Sequence, residues 1–176
     1  MKPVSRLFLL AVLLTMFAAT TQAQVTANST AEATIVATID LTLDVPLNFG
    51  NLAVTNVAGV VTLEPSAAAT RSQVGGVTFP VVAGTVDAAT FFVVGEPNST
   101  YAITIPAPSY ILTITGPTAA TMDVDSWTSS PSGTGLLDIS GQQTLYVGAD
   151  LHVDANQDPG HYISDAAGFE VTVNYN

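Results

Sequence analysis

From Val25 to Val45 the chain alternates with period two. Odd positions read Val, Ala, Ser, Ala, Ala, Ile, Ala, Ile, Leu, Leu, Val, while even positions carry Thr, Asn, Glu and Asp with a single Val at 36. Successive side chains of an extended strand point to opposite faces, so this pattern puts one face in a core and the other in water. A helix cannot use such a pattern, because its apolar positions recur every three to four residues. Fully extended, the stretch would reach about 70 Å, several times the length of an ordinary strand. The reading is therefore an N-terminal arm followed by a first strand.

The rest of the chain supports an all-β fold. It is rich in Thr, Val, Ile, Gly and Pro, and no sustained helical periodicity follows the N-terminal leader. Strands are expected at Val60–Leu63, Val77–Val82 (an edge or bend at Pro80), Phe91–Val94, Tyr101–Ile105, Tyr110–Ile114, Met122–Trp127, Leu136–Ile139, Gln143–Val153 and Phe169–Tyr175. Only residues 65–70 (PSAAAT) read as a short helical turn. Short strands separated by turn signals point to one β-sandwich domain over residues 24–176.

Residues 1–23 read as a secretory signal peptide. Lys2 and Arg6 precede an apolar run from Leu7 to Ala19, and Thr21-Gln22-Ala23 offers a cleavage site after Ala23. That run is shorter than the roughly 20 residues a spanning helix needs. No later segment is long and apolar enough to span, so the mature protein is expected to be exported, passing through the periplasm to the cell surface or beyond, without a transmembrane segment.

Cleavage would leave Arg71 as the only basic side chain against fourteen acidic ones, a formal net charge of −13. Such a surface repels nucleic acid and anionic lipid, which need clustered Lys and Arg. The chain has no cysteine, which excludes thiol chemistry, thiolate metal sites and disulfide staples.

The one polar-rich window is ADLHVDANQDPGHY, residues 149–162, with both histidines, His152 and His161. A calcium site would draw on Asp150, Asp154, Asp158 and Asn156; zinc would take the imidazoles. The same residues also read as an amphipathic strand, with Asp150, His152 and Asp154 on its wet face, running into an Asn/Asp/Pro/Gly turn that needs no metal. The calcium-loop pattern is absent, as are the Gly-x-Ser-x-Gly elbow and a phosphate loop with its lysine. No catalytic residue is assigned, no cofactor is expected, and the reading is not an enzyme. Trp127, Tyr101, Tyr110, Tyr146 and Tyr162 are candidates for stacking on sugars or for filling the core. Asn28-Ser29-Thr30 and Asn98-Ser99-Thr100 match the glycosylation acceptor pattern.

Several segments, in order, carry a resemblance. They are PLNFG at 46–50, GVVTL at 59–63, FVVGEPNSTYAITIP at 92–106 and MDV at 122–124. LYVGADLHV at 145–153, QDPG-x-Y at 157–162 and VTVNYN at 171–176 complete the series. Together they resemble a family of secreted domains of unknown function from Gram-negative bacteria, itself similar to spore coat protein U and chaperone–usher pilin domains. ISDAAG at 163–168 departs from the short Gly/Thr turn of that pattern.

The resemblance implies an immunoglobulin-like, pilin-like antiparallel sandwich that lacks its last strand and receives one from a neighbouring subunit. It implies a strand-donor arm within residues 24–37, with Val25, Ala27, Ala31, Ala33 and Ile35 facing the groove. It also implies an assembly edge at Phe169, Val171, Val173 and Tyr175 for a periplasmic chaperone and an outer-membrane usher. The expected function is a fibre or pilus-like subunit that self-associates through strand addition. Two alternatives stand beside it: the arm pairs within its own domain, or the domain is a self-contained secreted binding module for polysaccharide or calcium.

Overall fold

The computed structural model describes residues 24–106 and 108–176; the expected signal peptide, residues 1–23, lies outside them. The chain divides between Ile35 and Val36. In the described part of the first unit, Gln24 to Ile35, no strand forms and every side chain is exposed. The second unit carries eleven strands and, among the described residues, no helix.

The strands are β1 (Asp40–Val45), β2 (Ala53–Leu63), β3 (Arg71–Thr78), β4 (Ala89–Val94), β5 (Thr100–Thr104), β6 (Tyr110–Ile114), β7 (Thr121–Ser130), β8 (Thr134–Leu136), β9 (Gln142–Val153), β10 (Tyr162–Ile163) and β11 (Thr172–Tyr175). Eight form one antiparallel sheet in the order β1-β4-β9-β7-β6-β10, with the β2–β3 pair joined to β9. The second sheet has three strands, β11-β5-β8. The fold is thus an all-β antiparallel sandwich.

β9 is the axis of the large sheet. Its first half pairs with β4, its second half with β2, and its other edge with β7. Leu145, Val147, Ala149, Leu151 and Val153 alternate along it and are all buried. Burying a Val or Leu side chain contributes about 1.5–3 kcal/mol each, so this strand alone supplies much of the core. Two apolar clusters result. One gathers Val61, Leu63, Val77, Val124, Leu151 and Val153 around Phe49. The other packs Phe91, Val93, Leu145 and Val147 against Tyr101, Leu137 and Val173 of the small-sheet side. Leu47 and Trp127 touch both clusters.

Close approaches explain two glycines, one across a strand pair within the small sheet and one between the layers. A Cβ on Gly135 would enter the ring of Tyr101, and one on Gly95 would strike the hydroxyl of Tyr175. β7 is interrupted by a bulge between Asp125 and Thr128, where Ser126 adopts a φ of 51°. The extra residue shifts the alternation so that Trp127 turns to the core side, two residues after Asp125 faces out.

The structure corrects several expected strand limits. Residues 65–70 form a tight turn closed by Ala69 N donating to Ser66 O at 3.0 Å and Glu64 N to Thr70 O at 2.9 Å, not a helical turn. β3 ends at Thr78, before Pro80, because proline lacks the amide that would continue the ladder. β2 begins at Ala53, so its first half was missed. Of Phe169–Tyr175 only Thr172–Tyr175 is paired, with β5. Within the 25–45 alternation only Asp40–Val45 forms a strand.

Candidate functional site

The large sheet is wider than the small one, and the difference leaves an opening. A cleft of about 1000 Å³ lies over the inner face of β1, β6, β7 and β9. Its walls are the β1–β2 connection, Pro46 to Leu52, and the segment from Gln157 to Phe169. Leu43 marks its mouth. It pairs in register with the buried Phe91 and so faces inward, yet it is 54 % exposed. An inward-facing leucine that remains wet means that no strand covers the sheet at that point.

Aromatic rings make up much of the lining. Trp127 and Phe169 lie with centroids 4.5 Å apart, tilted by 40°. Tyr110 meets Trp127 edge-on at 6.3 Å, and Phe169 meets Phe91 edge-on at 6.4 Å. The indole Nε1 of Trp127 donates to Pro108 O at 3.3 Å. Such contacts add a few tenths to about 1.5 kcal/mol beyond area burial and hold the lining in one arrangement.

Both walls are pinned by polar side chains. Arg71 donates to Phe49 O and to Asn51 O (3.1 Å), and its guanidinium carbon sits 4.1 Å from the centroid of Phe79. Burial pulls its pKa below the usual arginine value. On the other wall the buried Gln157 accepts from Asp154 N at 3.1 Å and donates to Thr121 O at 3.0 Å and to Tyr162 Oη at 2.8 Å. Tyr162 in turn donates to Asp158 O at 2.7 Å. The QDPG-x-Y motif is therefore a self-braced turn forming one rim.

The root of the N-terminal segment is tied down by three hydrogen bonds. Glu96 N donates to Tyr175 Oη at 2.6 Å, Tyr175 Oη donates to Ala37 O at 3.0 Å, and Ala37 N donates to Glu96 Oε2 at 2.9 Å. Within the expected arm, residue 37 thus belongs to the second unit, and residues 24–35 to the first.

The expected site residues fall as follows. Val25, Ala27, Ala31, Ala33 and Ile35 are exposed and form no strand. Phe169, Val171, Val173 and Tyr175 all pack into the second cluster, on one face of the final segment. Among the described residues β11 is paired on one side only, by β5. Asp150, Asp154 and Asp158 are dispersed: Asp150 stands opposite Asp125 on the outer face of the sheet, while Asp154 and Asp158 are exposed in the turn after β9. Among the described residues no three His, Asp or Glu side chains converge. His152 Nε2 lies 2.8 Å from Asp125 Oδ1, and that hydrogen bond holds the Asp125 carboxyl below the usual carboxylate range.

Of the aromatic candidates, Tyr101 is fully buried and donates to Gln143 Oε1 at 2.8 Å, Tyr110 and Trp127 line the cleft, and Tyr162 braces its rim. The contributions of Leu43, Leu47 and Leu52 to the cleft were not legible in the sequence, since nothing local says which inward positions stay uncovered. Among the described residues no helix is long and apolar enough to cross a membrane.

A family model described as a domain of unknown function (DUF4402) matches residues 39–175, nearly the whole second unit, and the chain belongs to that family. No curated protein matches the chain, and no solved structure does.

Proposed function

We propose that this DUF4402 domain is an exported, non-enzymatic subunit of a cell-surface fibre, assembled by β-strand addition. The observation that carries the reading is the partly aromatic cleft of about 1000 Å³ in a sandwich whose second sheet, among the described residues, has three strands. An extended segment entering it would cover Leu43 and the aromatic lining, and could pair its backbone with a sheet edge. Residues 24–35 of a second copy have the required pattern: alternating, exposed, outside any strand, and carrying one charge at Glu32. Their inward-facing side chains are small apart from Val25 and Ile35. Beside the large rings that line the cleft, such small side chains bury little area each, which implies modest affinity for each residue. The motif resemblance, through a family similar to pilin domains, points the same way, with a periplasmic chaperone and an outer-membrane usher acting at the edge strand β11.

Electron microscopy and sedimentation of the mature protein test the reading. The whole protein should form linear polymers, and deletion of residues 24–35 should leave a folded monomer. Leu43→Asp should weaken polymerisation while preserving the cooperative melt. Normal fibres from the deletion variant, or a wild-type protein that stays monomeric with its chaperone and usher present, would overturn it.

A further inference from the structure

A second surface of the domain is suited to another copy of the same chain, independently of the cleft. β3 pairs with β2 and, among the described residues, with no other strand. Edge strands are usually protected from such pairing by lysines, prolines or inward charges. Here Ser72 to Thr78 carries none of these. The whole span from Pro65 to Val86 has no acidic residue, and its single charge, Arg71, is engaged with Phe49 O, Asn51 O and the ring of Phe79. The same span displays three exposed valines, Val74, Val81 and Val82, with Val74 at 67 %. In a mature chain of net charge −13, two copies repel one another over most of their surfaces. An acid-free edge is where they can approach.

We propose that β3 is a self-association edge, through which two copies pair antiparallel across a two-fold axis. The pairing segment is Arg71 to Gly75. Over that run β3 keeps regular register with Gly59–Leu63; beyond it the ladder shifts, and Gly75 takes a φ of 77°, which bends the strand away. Antiparallel pairing about a two-fold sets a residue near the centre of the run opposite its own copy and brings the two Val74 side chains onto one face. This contact joins copies side to side. It uses neither residues 24–35 nor the cleft, so it stands or falls separately from fibre assembly.

The absence of cysteine makes the test clean. Ser72→Cys, Gln73→Cys and Val74→Cys, made singly in the whole mature protein, each introduce the only thiol. Opposed Cα atoms in an antiparallel pair lie within disulfide range. Under mild oxidation at least one of the three should give a disulfide-linked dimer faster than Ser132→Cys, an exposed control outside the strands. Adding Val74→Lys to the Ser72→Cys or Gln73→Cys variant should suppress the dimer by placing like charges together. Deleting residues 24–35 should leave it intact. Cross-linking no faster than the control, indifference to Val74→Lys, or loss of the dimer on deletion would each overturn the proposal.

Discussion

The hydroxyl of Tyr175, the penultimate residue, donates a hydrogen bond to the carbonyl of Ala37 at 3.0 Å, joining the two ends of the sandwich. The same oxygen accepts from Glu96 N at 2.6 Å. The last strand therefore fixes Ala37 at the start of the second unit.

Tyr175→Phe removes both bonds while keeping the ring packed in the second cluster. A hydrogen bond of this kind is worth about 1 kcal/mol net, so the variant should melt a few degrees lower with an unchanged denaturant slope. Hydrogen exchange should rise most at Glu96, whose amide donates to that hydroxyl, and less at Ala37, whose amide donates to Glu96 Oε2. Protection unchanged at both amides would show that the hydroxyl does not hold the root.

Phe169→Ala removes the ring that lies 4.5 Å from Trp127. The ring is half-buried, so the cost should fall near or below the ~3 kcal/mol lower limit for a fully buried phenylalanine. Trp127 is the only tryptophan, and its emission reports the cleft directly. It should shift to the red in the variant, as water reaches the indole. A large loss of stability without a spectral change would place Phe169 outside the cleft lining.

Alkaline pH should destabilise the fold through Tyr101. Burial pushes its phenol pKa up to about 12, against about 10 for an unfolded tyrosine. Because the folded value is raised, this stabilising contribution is fully present below about pH 10 and is lost as pH rises towards 12. Tyr101→Phe should flatten the melting profile over that window. At neutral pH its cost should be only about 1 kcal/mol, since Gln143 Oε1 still accepts from Leu136 N at 2.9 Å. A profile as steep as that of the wild type would rule out Tyr101 as the responsible group.

Much of the sheet was readable from local pattern. β9 emerges almost at its true limits, because Leu145, Val147, Ala149, Leu151 and Val153 keep strict alternation over a long strand buried on one face. The final segment illustrates the boundary of that logic. Phe169, Val171, Val173 and Tyr175 do share one face, and all four pack into the second cluster, but backbone pairing begins only at Thr172. Side-chain parity is a local property. Backbone pairing requires a neighbour at the right distance, and β5 reaches only as far as Thr172.

The opening alternation divides in the same way. By itself the sequence determined a period-two alternation over residues 25–45, and that the chain builds an acidic, cysteine-free, all-β domain. The tertiary structure alone decided that pairing starts at Asp40, where β4 supplies a partner, and that Leu43 faces inward yet stays wet. It also gathered Trp127, Phe169, Tyr110 and Phe91, from four separate segments, around one cleft. Periodicity tells which way a side chain points, because each residue's direction follows from its own backbone. What lies opposite depends on how many strands each sheet recruits, and that is settled only when the two sheets pack.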